Sequence, residues 1–314
     1  MPSFRFRIAV CMVRLNALIQ LESLAPIRYQ RWWFDGVVPH LATQIKGVGH
    51  EGLEIDGMRA EWAIPRGAGD AGAILYLHGG AYVMGSIASH RALVSRLAVA
   101  AGCRALAVEY RLAPEHPFPA AVEDAVRAYE WLLSHGREAR QIVLAGDSAG
   151  GGLAVASLVA LRDAGAPLPA AALLLSPWTD LEVSGRSVGT VGRRDPMLTA
   201  RALRREAAMY LGKEDPRHPL ASPIHAGLEG LPPMLVQVGT REILLDDARR
   251  LAERARGDGV EVELDAWEGM FHVWQFFTPL VPESNAAVEK LGRFARERMA
   301  APVSTDPYPR LTES

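Results

Sequence analysis

The sequence predicts an α/β fold built on a mostly parallel sheet with helices on both faces, and three observations carry that expectation. Short β-branched and leucine-rich runs alternate with longer amphipathic ones, the rhythm of βαβ units. Several of the short runs are apolar without interruption, as strands covered on both faces must be. The 314 residues, 49% apolar and 22% charged, can bury one large core with an appended subdomain, which excludes disordered and collagen-like chains.

Taken in order, residues 52–65 read as a leading pair of strands turning at Asp56-Gly57, a pair suited to the positive φ angles of a two-residue hairpin. Strand runs follow at 73–77, 104–109, 141–145, 171–175, 234–238 and 260–266. Helical spacing marks 120–134, 149–164 and 246–257, and 285–299 supplies a last helix. Two segments break the rhythm. Residues 1–48 have helical spacing and the aromatic cluster Trp32, Trp33, Phe34, whereas 181–230 carries a helix at 199–211 and then turns at Pro216, Pro219 and Pro223. An insertion that long reads as a lid or binding element.

Charge and composition narrow the function classes. Thirty-four basic against thirty-six acidic residues leave a formal charge of -2, which gives no reason to expect a nucleic-acid partner and favours a neutral or weakly polar ligand. Cys11 and Cys103 lie in unrelated segments, so neither a disulfide framework nor a CxxC pair is expected, and both are taken as small buried side chains. With no HExxH and no cysteine cluster, no metal is expected. The stretch 8–21 is interrupted by Arg14, Asn16 and Gln20 and no small-x-small site follows it, so neither membrane insertion nor a secretion leader is expected, and the location is taken as cytoplasmic. The glycine-rich stretch at 67–72 lacks the preceding strand and following helix of a phosphate loop and reads as a turn.

The chemistry lies in the middle of the chain. The run 141–145 passes straight into Gly146-Asp147-Ser148-Ala149-Gly150-Gly151 and then a helical stretch, so GxSxG sits in a strand-turn-helix context that holds the Ser148 hydroxyl strained and exposed at the sheet's carboxyl edge. Upstream, His78-Gly79-Gly80-Ala81 follows a strand where an HGGG-type loop would offer backbone amides to a developing oxyanion. The donors expected are Gly79, Gly80 and Ala149, with Ala81 standing where the motif has its third glycine, and His78 is expected to order the loop rather than move protons.

A serine hydroxyl needs a histidine to take its proton and a carboxylate to hold the imidazole. The chain order Ser, acid, His selects His272, in the loop after the last strand run. The acid should leave the preceding strand, where Glu242, Asp246 and Asp247 compete. Glu242 at the mouth of the loop is preferred, with Asp246 the alternative, because Asp246 and Asp247 fall in a first helical turn where acids cap and complement the dipole.

These features, together with Tyr110-Arg111-Leu112-Ala113-Pro114-Glu115-His116-Pro117-Phe118-Pro119-Ala120-Ala121, Ser176-Pro177-Trp178-Thr179-Asp180 and Leu220-Ala221-Ser222-Pro223, make residues 49–300 resemble the bacterial hormone-sensitive-lipase family of α/β-hydrolase carboxylesterases, in the subgroup with a GDSAG nucleophile motif. Many members have Asp-Pro-Leu where this chain has Glu242-Ile243-Leu244. The resemblance implies an eight-stranded sheet, a cap built from 1–48 and 181–230, catalytic-core segments at 49–180 and 231–300, and a tail at 301–314. It implies a cofactor-free serine esterase for small acyl esters, with Tyr82, Trp178, Met209 and Tyr210 expected at the substrate and a homodimer paired through a sheet edge. A non-catalytic small-molecule receptor on the same fold, or an amidase, deacetylase or acyltransferase with the same triad, are the alternatives. The charged block Arg111, Glu115, His116 is read as a rigid connection whose charges satisfy one another, and Glu123 with Asp124 as helix-start acids.

Overall fold

The computed structural model describes residues 2–20, 25–41, 43, 45–69 and 72–300. The tail at 301–314 lies outside them, as do Asp70 and Ala71 of the glycine-rich turn.

Eight strands form one sheet: β1 (Val48–Ile55), β2 (Met58–Pro65), β3 (Ala73–Leu77), β4 (Arg104–Val108), β5 (Ile142–Asp147), β6 (Ala171–Leu175), β7 (Met234–Gly239) and β8 (Val262–Trp267), in the order β1-β2-β4-β3-β5-β6-β7-β8. Strands β3 to β8 run parallel; β2 is antiparallel to both β1 and β4. The β1-β2 hairpin closes at Asp56-Gly57, with φ of 49° and 83°, as the Asp-Gly pair predicts. Strands β3, β5, β6 and β7 are buried along their whole length, matching sequences that are apolar apart from Asp147 and Gln237, and β8 lies at an edge and is partly exposed.

The helices are α1 (Phe4–Gln20), α2 (Ile27–Arg31), α3 (Val38–Leu41), α4 (Ile87–Ala101), α5 (Ala120–Ser134), α6 (Ala149–Asp163), α7 (Ser187–Thr190), α8 (Ala200–Leu211), α9 (Leu245–Gly257) and α10 (Pro282–Ala300), with a π-helical turn at Trp32–Val37. Among them α4 is absent from the sequence-based assignment, although its ends are marked. Ser86 and Ser89 form a reciprocal cap at its start, and Gly102 closes it in the left-handed region at φ 65°. One face is buried between the sheet and α10, but the outward face carries Ala88, Ala92 and Val99 beside Arg91 and Arg96, so the contrast between apolar and polar faces is weak.

Both segments that break the βαβ rhythm lie over the strands' carboxyl ends. The inward face of α1 (Phe6, Ala9, Val10, Val13) packs on Met270, Phe271 and Trp274, with Phe6 stacked on Phe271 at 5.1 Å. Arg31 ties the N-terminal segment down through Val83 O (2.6 Å), Ala113 O (2.7 Å) and the Glu115 carboxylate. From the insertion, α8 lays Tyr210 flat on Tyr82, ring centroids 3.8 Å apart. The charges of Arg111 and Glu115 are met from outside their block, contrary to the expectation that they satisfy one another: Arg111 holds the helix-start acids Asp124 and Glu123, and Glu115 pairs with Arg31. Cys103 is buried, but Cys11 is exposed, contrary to expectation, because it lies on the outward side of α1. Among the described residues no helix is long and apolar enough to cross a membrane.

Candidate active site

Strand β5 ends at Asp147 and α6 starts at Ala149, leaving Ser148 alone in the turn at φ 53° and ψ -121°, a strained conformation for a side-chain-bearing residue. Its amide is held by Leu175 O at 2.8 Å, and its carbonyl accepts from Gly151, Gly152 and Trp178. The flanking glycines are sterically required. A Cβ at Gly146 would stand 2.2 Å from Gly150 O, and one at Gly150 would stand 2.0 Å from Leu77 O.

His272 Nε2 lies 2.9 Å from Ser148 Oγ. On the far side of the ring, Nδ1 is 3.3 Å from Glu242 Oε2, and both side chains are buried. The two loops that carry them are fastened together: Arg241 N–H donates to Met270 O, Thr240 N–H to Trp267 O, and Gly269 N–H to Thr240 Oγ1. Burial raises the Glu242 carboxyl above the ordinary range, with His272 opposing it. Burial by itself would lower the imidazole, but Glu242, then Asp195 and Asp147, outweigh it and leave His272 raised.

The competing carboxylates are engaged elsewhere. Asp246 Oδ2 accepts from Ser187 N–H at 2.9 Å, and Asp247 Oδ2 accepts from the Thr179 and Asp180 amides at 3.0 Å each. They pin the start of the insertion to α9.

Two sequence-based site assignments need correction. The Gly79 N–H points at Asp147 Oδ1 (3.0 Å) and His90 Nε2 (3.2 Å), so it is spent holding the loop and does not face an oxyanion. Among the described residues no acceptor takes the amides of Gly80, Ala81 or Ala149, and Ala81 adopts φ 55°, a left-handed conformation at the position where the motif has glycine. Trp178 is fully buried, its indole N–H bound to Asp180 O, and belongs to the core behind the nucleophile turn rather than to an open pocket. Tyr82 and Tyr210 are also buried, joined as the stack between α8 and the oxyanion loop; Met209 is partly buried beside them. His78 orders the loop as expected. Its Nδ1 meets Gly79 O at 2.8 Å, its ring stacks on Tyr110, and burial lowers its pKa to about 3.

Three neighbours were given no role at the site by the sequence, although Ser176 lies in one of the motifs that carry the resemblance. Ser176, at the end of β6, donates to Glu242 Oε2 at 2.9 Å. Asp195, in the insertion, accepts from the amides of Met197, Leu198 and Ile243, which brings its charge close to the Glu242 loop. His90, on α4, lies under the oxyanion loop. No spacing rule reaches any of them from Ser148.

One set of metal-type side chains, Asp180, Glu182 and His225, has ligand atoms within 4.8 Å of one another. Arg250 already sits 2.7 Å from Asp180, and Arg217 3.7 Å from Glu182, so the local negative charge is met by guanidinium groups.

A strained serine between strand and helix, a histidine on its hydroxyl, and a carboxylate behind the histidine, at the carboxyl edge of this sheet, define a protein of the α/β-hydrolase fold. The alpha/beta hydrolase fold family matches residues 74–276. The chain is 54% identical over 237 residues to an acetyl-hydrolase of Streptomyces hygroscopicus, covering 76% of this chain and 79% of that one. It is 36% identical over 244 residues to an esterase of Acinetobacter venetianus, covering 77% and 80%. A crystal structure of an esterase from the bacterial hormone-sensitive lipase family superposes with a TM-score of 0.90 at 46% identity, over 95% of this chain and 99% of that one. The esterase EstE5, soaked with p-nitrophenyl butyrate, superposes with a TM-score of 0.91 at 42% identity, over 95% and 100%. The chain belongs to the hormone-sensitive-lipase family of bacterial α/β-hydrolase esterases.

Proposed function

We propose that the chain is a serine carboxylesterase for short- to medium-chain acyl esters, working through an acyl-enzyme. The observation that carries this is the contact of His272 Nε2 with Ser148 Oγ at 2.9 Å, backed by Glu242 at 3.3 Å from Nδ1. His272 takes the Ser148 proton as Oγ attacks the ester carbonyl. The new C–O bond forms, the tetrahedral oxyanion is met by amides at Gly80, Ala81 and Ala149, and the alcohol leaves with the proton from His272. Water then gives a proton to His272, attacks the acyl carbon and releases the acid, and the proton returns to Ser148. Glu242 stays ionised and stabilises the imidazolium.

The N-terminal segment and the insertion are the proposed cap, with Met209 toward the acyl group and the Tyr82–Tyr210 stack limiting depth. Such a cap fits acyl chains of about two to eight carbons better than long ones, because methylenes beyond the depth the stack allows find no apolar surface to be buried against. The relatives support this range, one being an acetyl-hydrolase and another soaked with a butyrate ester. The test is a series of p-nitrophenyl acetate, butyrate, octanoate and palmitate with wild type and Ser148→Ala. Highest kcat/KM on the short esters, abolished in Ser148→Ala, is the expected result; turnover surviving in Ser148→Ala would sink the serine mechanism.

A further inference from the structure

We propose that His90 is a positioning residue for acyl transfer: with Asp147 it fixes the Gly79 amide, so that the next amides along, Gly80 and Ala81, are presented to the oxyanion. The proposal rests on the serine-esterase reading above and adds to it a residue outside the triad.

The geometry is specific. Asp147 is the residue before the nucleophile, fully buried, and its Oδ1 gathers three contacts: the Tyr76 hydroxyl at 2.8 Å, the Gly79 N–H at 3.0 Å, and His90 Nε2 at 3.3 Å. The Gly79 N–H is shared with His90 Nε2 at 3.2 Å. Nucleophile turn and oxyanion loop are thus joined through one carboxylate and one imidazole. There is no slack in this joint, since a Cβ at Gly79 would come within 2.2 Å of Asp147 Oδ2.

His90 itself is held on every side. Its Nδ1 meets Ser89 Oγ at 3.0 Å and Ser86 O at 3.2 Å. The ring is wedged between Phe34 of the N-terminal segment at 5.9 Å, Phe276 from the loop after His272 at 4.9 Å, and His78 at 5.4 Å. Ser89 Oγ also reaches Asp35 Oδ1 at 3.2 Å. Four parts of the site therefore meet on one fully buried side chain: the cap, the oxyanion loop, the nucleophile turn and the general-base loop.

Oxyanion donors act when charge develops on the carbonyl oxygen, not when substrate first binds, so a residue that aims them changes kcat and leaves KM alone. Removing one such donor outright lowers kcat about a hundredfold to a thousandfold, and misaiming two of them should cost about ten- to a hundredfold. His90→Phe keeps an aromatic ring and removes both nitrogens, whereas His90→Gln keeps an amide oxygen that can accept from Gly79.

The test measures kcat and KM on p-nitrophenyl butyrate, and the affinity for butylboronic acid, which adds to the serine hydroxyl as a tetrahedral anion. In His90→Phe, kcat should fall about ten- to a hundredfold, KM should stay within about threefold, and boronate affinity should fall with kcat, while His90→Gln recovers most of the loss. A rise in KM at unchanged kcat, or unchanged boronate affinity in a folded variant, overturns the proposal. Should His90→Phe not fold by circular dichroism, Ser89→Ala, which removes the hydroxyl on His90 Nδ1, decides: wild-type kcat overturns the proposal, and a kcat-only loss supports it. If Ser148→Ala is inactive while the His90 variants behave as wild type, this inference alone falls. If Ser148→Ala turns over, the serine-esterase reading falls with it.

Discussion

Ser176 donates its hydroxyl to Glu242 Oε2 at 2.9 Å and accepts the Val273 N–H at 3.2 Å, so one side chain at the end of β6 sets both the acid and the backbone next to His272. Glu242 is thereby held toward the imidazole, whereas Asp246 turns to Ser187. Glu242→Ala should accordingly lower kcat/KM by about a thousandfold or more, and Asp246→Ala by less than about tenfold, in p-nitrophenyl butyrate assays on variants shown to be folded. The reverse ranking would place the acid at Asp246.

The same pair sets the pH response. Burial pulls the His272 pKa down, and Glu242, with smaller help from Asp195 and Asp147, more than restores it, so the net value is raised above 6.5. Only the neutral imidazole can accept the Ser148 proton, and activity is lost as pH falls through that raised value. In Glu242→Gln the largest upward pull is gone. The acid limb of kcat/KM against pH should move to lower pH, alongside the fall in rate, and a limb that stays in place would show that Glu242 does not act on the imidazole.

How much of this was legible in the sequence can be judged residue by residue. Strands buried on both faces announce themselves by composition, and Ser148 and His272 lie at strand ends that chain order selects. Glu242 could be separated from Asp246 only by place in the loop; the structure adds the partners that occupy each. Gly79 was misassigned because a motif names glycines without saying which way each amide points, and that direction depends on Asp147 and His90, one of them on a helix whose outward face is itself rich in alanine and valine. Trp178 looked like pocket lining because an aromatic side chain beside a motif carries no mark of whether it faces ligand or core.

Asp247 gives a stability prediction of the opposite sign to most carboxylates. Burial, then the Asp180 charge, raise its pKa from 3.8 to about 7. The folded state therefore binds a proton that the unfolded state has released, and this contribution to stability is present below 3.8 and lost as pH rises through about 7. Asparagine in its place can still accept from Thr179 and Asp180 without titrating. The unfolding free energy of Asp247→Asn relative to wild type, from urea titrations, should improve between about pH 5 and about pH 8; a difference independent of pH would mean that Asp247 is ionised throughout.

Strand β8 ends the sheet with one side unpaired and partly exposed. Such edges tend to be covered or paired, and pairing with the same strand of a second copy would continue the sheet. The expected mass in solution is twice the 34.1 kDa of the chain, and light scattering at micromolar concentration that returns the single-chain mass rejects the dimer.

The contact between Phe6 and Phe271, with Ser3 bound to Glu283 some 280 positions away, has a consequence for how the molecule is made. On the ribosome α1 emerges ahead of all eight strands, and its inward face of Phe6, Ala9, Val10 and Val13 cannot meet this surface until the loop carrying His272 has been translated. Until then that apolar strip is without its cover and open to the wrong partner. When the loop arrives, α1 is sheltered by the same segment that carries the histidine, so covering the helix and seating His272 become one event.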